Sequence, residues 1–187
     1  KAIISDILGE TWFSLEHVQG IATYEGGATA GVSHADVLFN IAMAVVVKEA
    51  RSRMESEGLI DDIQYDVAQI VGSHLSDADI IRLLDIAYCD DLAIPVAADA
   101  GQLVDKITRV AQIWVETLAE HGMETSFGPG KTDCVFTFRG RGANAARIQY
   151  EASGSVIRIR LTGGGSVVIP GVEAHKHVGS IYSGTQS

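Results

Sequence analysis

Sulfur is scarce in this chain. Its two cysteines, Cys89 and Cys134, cannot build the several bridges of a small disulfide-stapled secreted domain. A reducing, intracellular setting, cytoplasm or nucleus, is therefore expected. Long apolar runs are missing as well. The longest, residues 41–47, is far too short to cross a bilayer, and no membrane partner is expected. The first residues lack the basic, apolar and small-residue order of a signal peptide, and Lys1 in place of Met suggests a trimmed or partial chain. Basic residues are also few at first: residues 1–130 hold 7 Lys/Arg against 21 Asp/Glu, a net of −14. A protein that meets nucleic acid through one broad basic face does not look like this.

What is present is a globular composition, 47% apolar and 20% charged over 187 residues, a length that favours one core. The charge reverses late. Residues 131–187 carry 7 Lys/Arg and 3 Asp/Glu, a net of +4, which with the −14 makes the whole-chain −10. A carboxylate centre that binds metal beside a basic strip fits this pattern, and two solvated faces with no partner fit it equally.

Periodicity gives the elements. After a glycine-rich loop over residues 24–31, Ser33 or His34 starts a helix over 35–57, with Ala35, Leu38, Phe39, Ala42, Val46 and Ala50 in steps of three and four and Gly58 closing it. A second helix is expected over 61–71, from the stripe Ile63, Val67, Ile70 and Val71. Residues 80–88 and 92–97 are apolar runs of strand length around Cys89-Asp90-Asp91, a hairpin with two acids at its tip. Pro95 suits an edge or bulged position in its second strand. A helix follows over 101–120 with Gly122 past its end, then a strand over 134–138 and a turn or two of helix over 143–151. A second hairpin joins 156–161 to 167–169, and period-two alternation puts Arg158 and Arg160 on one face.

The chemistry concentrates at Asp90 and Asp91. Two neighbouring carboxylates at a tip repel by about 1 kcal/mol in water at ~4 Å, and by several times more in a less polar cleft, unless a cation neutralises them. Hard divalent ions take such oxygen ligands, typically one or two carboxylates plus phosphates. Asp-Asp also makes an ordinary polar turn.

Tyr88-Cys89-Asp90-Asp91-Leu92 resembles the Tyr-x-Asp-Asp signature of reverse transcriptases, and three further stretches match in order. Gly31-Val32-Ser33-His34-Ala35-Asp36-Val37-Leu38-Phe39-Asn40 is similar to the glycine turn and following helix of the non-LTR retrotransposon enzymes. Gly122 with Lys131-Thr132 is similar to the glycine and Lys-Thr segment after the catalytic hairpin. His175-Lys176-His177-Val178-Gly179-Ser180 resembles the Tyr-Lys-His-Leu-Gly hairpin that grips the primer. Gly31 is followed here by Val32-Ser33-His34 where the family usually has Asp-Pro-Leu, and His175 stands for the usual Tyr.

The resemblance implies an α+β polymerase-type palm over residues 1–187: an antiparallel sheet carrying the catalytic hairpin, with helices 35–57 and 101–120 packed on one face. The strand bearing the first catalytic aspartate, the fingers and the thumb are expected outside this chain. It implies template-directed nucleotidyl transfer by an RNA-directed DNA polymerase, with Asp90 and Asp91 holding Mg²⁺ (or Mn²⁺) and Lys131 acting beside the triphosphate. Gly31, Ala35, Asn40 and Tyr88 would lie against nucleotide and template, and His177, Val178 and Gly179 against the primer. RNA template, DNA primer, dNTPs and the rest of a parent polyprotein are the implied partners. A decayed, non-catalytic relative that at most binds nucleic acid is the alternative, and an unrelated α+β binding module a third reading. Two look-alikes are set aside. Gly128-Pro129-Gly130-Lys131-Thr132 runs helix, loop, strand, the reverse of a P-loop, and His175 with His177 lacks the further ligands of a zinc site.

Overall fold

A computed structural model describes residues 12–13, 22–23, 35–60, 64–65, 81–82, 86–88, 91–161, 163–177 and 180–183. The expected site residues Gly31, Asp90, Val178 and Gly179 lie outside these. The chain divides into two compact units, Lys1–Val45 and Val46–Ser187. In the first, β1 (Trp12–Phe13) pairs antiparallel with β2 (Ala22–Thr23). Helix α1 (Ala35–Ser56) begins there and runs on into the second unit.

In the second unit α1 buries Val46, Ala50 and Met54, spaced by one helical turn each. Its end is a left-handed cap: Gly58 sits at φ +66°, the Gly58 amide donates to Glu55 O at 3.1 Å, and the Leu59 amide reaches back to Met54 O at 2.9 Å. Helix α2 (Leu103–Glu120) ends the same way at Gly122, with the Met123 amide donating to Leu118 O at 2.9 Å. Both caps turn their next apolar residues, Leu59 and Met123, back onto one core.

Helix α2 is the axis of this unit because it is apolar on two sides. Val110, Ile113 and Trp114 pack with Val46, Ala50 and Met54 of α1. Val115, with Val104, Ile107 and Ala111, packs instead on Ile157, Ile159 and Ile169 of a sheet. Thr117 is fully buried, and its hydroxyl is satisfied by donating to Ile113 O at 2.8 Å. That sheet has the order β7 (Cys134–Val135), β9 (Ser166–Val172), β8 (Val156–Arg160). Strands β8 and β9 form the expected hairpin, in a register that sets Ile157 opposite Ile169 and Arg158 opposite Val168. Strand β7 joins β9 in parallel, so the sheet is mixed. Helix α3 (Ala143–Ala152) lies between β7 and β8 in the chain and buries Tyr150.

Three features depart from the expected layout. First, Gln64–Tyr65 (β3) pairs antiparallel with Ile81–Arg82 (β4), so the helix expected over 61–71 gives way to extended chain at these two residues. Second, the hairpin of β5 (Ile86–Tyr88) and β6 (Asp91–Ala93) forms a two-stranded sheet of its own among the described residues. Third, the contact of α1 with α2 and the contact of α2 with the sheet form two separate apolar clusters among the described residues. The coarse class stands: a mixed α+β chain with three helices and a small three-stranded mixed sheet among the described residues.

Candidate functional site

The hairpin that carries the acidic turn is positioned from below. Its register pairs Ile86 with Ala93, Ala87 with Leu92 and Tyr88 with Asp91. Leu92, and Ile94 and Val96 just beyond β6, pack on the core between α1 and α2. Apolar side chains in this run hold the strand against the helix pair, which leaves Asp91, at the head of β6, exposed. An exposed carboxylate at a strand end is a competent single oxygen ligand for a hard cation. No group of three or more His, Cys, Asp or Glu side chains gathers among the described residues.

The other predicted positions fall as follows. Ala35 is the first residue of α1, and Asn40 lies exposed further along the same helix. Lys131 is exposed in the turn between α2 and β7, where its amide donates to Gly128 O at 3.1 Å and the Thr132 hydroxyl donates to Ser126 O at 2.6 Å. The order helix, turn, strand is the one read from the sequence. His177 closes β10 (Ala174–His177), paired with Ser180 at the start of β11 (Ser180–Ser183).

One contact was invisible in the sequence. The carboxylate of Asp133, whose side chain is only 7% exposed, accepts a hydrogen bond from His175 Nδ1 at 3.0 Å. This pair ties the segment just after Lys131-Thr132 to the start of the His175–Ser180 stretch. Nothing local announces a partner so far along the chain; only the rule that a buried carboxylate needs a partner could have prompted the search. His175 thus spends one ring nitrogen on a carboxylate.

Next to it, Cys134 is held in the thiol form: burial, then the neighbouring charge of Asp133, pushes its pKa up to about 12. A thiol so disfavoured as thiolate is a packing residue and a poor nucleophile. Tyr150 is likewise pushed up to about 12, first by burial and then by Cys134. Its ring packs at a tilt against Phe136 at 4.4 Å and Phe138 at 5.8 Å between centroids, and its hydroxyl is buried without a hydrogen-bond partner among the described residues. That hydroxyl occupies the space over Gly171, where a Cβ would fall 1.9 Å from it. Gly171 is the β9 partner of Cys134, so the close approach seats α3 over the strand junction.

The cations divide sharply. On the helices, Arg53 is held by Glu49 and Glu120, and Arg109 chelates Glu57 with Nε at 2.7 Å from Oε2. Hydrogen bonds from these arginines hold Glu120 and Glu57 below the usual carboxylate range. His121 donates Nδ1–H to Thr117 O at 2.9 Å and turns Nε2 toward Glu49 at 3.4 Å. On the later half of the chain, Arg147 lies 3.8 Å from Glu151, while Arg139, Arg141, Arg158 and Arg160 are exposed and make no ion pair among the described residues.

No protein-family profile, curated protein or solved structure matches this chain.

Proposed function

We propose that this chain is the palm portion of a reverse transcriptase of the non-LTR retrotransposon type, an RNA-directed DNA polymerase. The observation that carries the reading is the antiparallel register of β5 and β6, with Tyr88 opposite Asp91 where the Tyr-Cys-Asp-Asp stretch falls. Strands that pair up to Tyr88 and from Asp91 onward, seated through Leu92 on the helix core, are the support this chemistry requires. Asp90 and Asp91 would supply the oxygen ligands. Magnesium held there supplies Lewis-acid activation of the primer 3′-hydroxyl and charge stabilisation at the leaving pyrophosphate. Lys131, exposed on its turn, would place a cation beside the triphosphate, and Tyr88 would flank the nucleotide from the strand opposite Asp91. The stretch from His177 to Gly179 would bear on the primer backbone. RNA template, DNA primer and dNTPs are the corresponding ligands.

The test is magnesium-dependent thermal stabilisation of the chain, followed by circular dichroism with and without a dNTP. Wild type is expected to gain stability with Mg²⁺ and further with Mg²⁺ plus dNTP, and Asp90→Asn and Asp91→Asn to lose both gains. Stabilisation that survives both substitutions, or none in wild type, overturns the reading. A wild type that gains stability yet extends no primer on an RNA template, alone or within its parent polypeptide, is instead the non-catalytic relative.

A further inference from the structure

The outward face of the β8–β9 hairpin is a cationic surface in an acidic protein. Cross-strand partners share a face, so Val156 and Pro170, Arg158 and Val168, Arg160 and Ser166 form one side. Ile157, Ile159 and Ile169 point the other way, into the core with α2. Arg158, Arg160, Ser166, Val168 and Pro170 are exposed, and no carboxylate stands on either strand. In a chain of net charge −10 that is a local inversion.

We propose that this face binds the phosphate backbone of a nucleic-acid duplex. Three observations carry it. Neither Arg158 nor Arg160 is paired among the described residues, whereas Arg53 and Arg109 on the helices are each bound to glutamates. The two guanidinium stems rise from alternate residues of one strand, about 7 Å apart, a spacing on the scale of neighbouring phosphates along a strand. Their strand is also held rigid at that point: the Gln112 side-chain amide of α2 donates to Arg160 O at 2.6 Å and accepts from the Arg160 amide at 2.7 Å. That grip fixes the arginine backbone against the helix and leaves the side chains free to meet an anion. Exposed Val168 beside Arg158 adds an apolar surface against which sugar rings can rest. Charges on an edge strand also guard against edge-to-edge association, but that purpose asks for no affinity toward a polyanion. The face is built from residues separate from the acidic hairpin, so the inference stands whether or not Asp90 and Asp91 hold magnesium.

Fluorescence anisotropy with a labelled RNA–DNA hybrid, in EDTA to silence metal sites, tests it. The whole chain is titrated at several salt concentrations. Arg158→Gln with Arg160→Gln is expected to weaken binding about tenfold at low salt, equally for unrelated sequences. It should also flatten the slope of log affinity against log salt by about 2, near 0.9 for each phosphate left without its arginine. Arg158→Lys with Arg160→Lys keeps the charge and should retain most of the affinity. Lys48→Gln, which removes one exposed helix cation, should change it less than twofold. An unchanged slope in the glutamine pair, a reduction of equal size in Lys48→Gln, or no hybrid binding by wild type overturns the proposal. So does binding confined to phosphatidylserine vesicles. Matching far-ultraviolet dichroism and thermal midpoints across the variants show that fold is not the cause.

Discussion

The two sides of α2 are held by opposite chemistry. Toward α1 the contact is rimmed by carboxylates: Glu49, Glu57 and Glu120 grip Arg53 and Arg109 around a core of Val46, Ala50, Met54, Val110, Ile113 and Trp114. Toward the sheet the core has no such rim among the described residues. Instead it is flanked by groups that stay stable only while protonated, the Cys134 thiol and the Tyr150 phenol. One helix therefore joins a seam rimmed by arginine–glutamate pairs to a layer that holds two protonated groups, Cys134 and Tyr150, with the Asp133–His175 pair beside them. The lesson is that a single apolar helix can serve two neighbours whose stabilities answer to different solution conditions.

The strongest way to break this comparison is at Trp114, 3% exposed on the α1 side. Trp114→Ala removes a large buried ring and should cost about 3–5 kcal/mol in denaturant unfolding. Trp114→Phe should cost much less, because the indole N–H is buried without a partner among the described residues and its removal lifts that penalty. Similar costs for the two would mean the ring is not packed as described.

A smaller effect is expected on the sheet side. Gly171→Ala drives a methyl into the Tyr150 hydroxyl and should destabilise by about 1–3 kcal/mol. Tyr150→Phe removes the offending oxygen, leaving the ring carbon at 3.0 Å, so the double variant should recover part of the stability. Strict additivity would sink the contact.

The last comparison is read from pH. Glu57 and Glu120 have folded pKa values lowered from 4.5, by hydrogen bonds from Arg109 and Arg53. Their stabilisation is complete above 4.5 and fades as pH falls through the depressed folded values. Cys134 is raised from 9.0, and Tyr150 from 10.0, to about 12. Their contribution is complete below 9.0 and is lost as pH climbs from there toward about 12. Thermal midpoints across pH should show Cys134→Ala relieving the alkaline limb alone, and Arg53→Met with Arg109→Met flattening the acid limb alone. The acid effect is the smallest of the set, since these pairs are exposed and weaken further in salt. Limbs that shift together would show that the two sides are not independent.

Much of the local structure was legible. The stripe through Val46 and Ala50, the closing Gly58 and Gly122, and the alternation at Ile157, Arg158, Ile159 and Arg160 all rest on short-range rules that burial then obeys. The pairing of Tyr88 with Asp91 is where the apolar runs predicted a hairpin. Over 61–71 the pattern misled because a short apolar stripe suits either period, and Gln64–Tyr65 takes the extended form opposite Ile81–Arg82. What escaped is long-range: the partnership of Asp133 with His175, the Gln112 grip on Arg160, and the parallel seat of β7 on β9. Such contacts depend on how elements stack, and no spacing along the chain encodes them.

That parallel seat has a consequence for the order of assembly. Cys134 and Val135 pair with Gly171 and Val172 across the whole of helix α3 and the β8–β9 turn, which lie between them in the chain. During synthesis β7 must wait, unpaired, for a partner that emerges much later, while β8 and β9 zip locally and fast. Docking of β7 is thus set to be the late, slow event, and chains cut short before residue 171 would carry an open strand edge able to recruit its like.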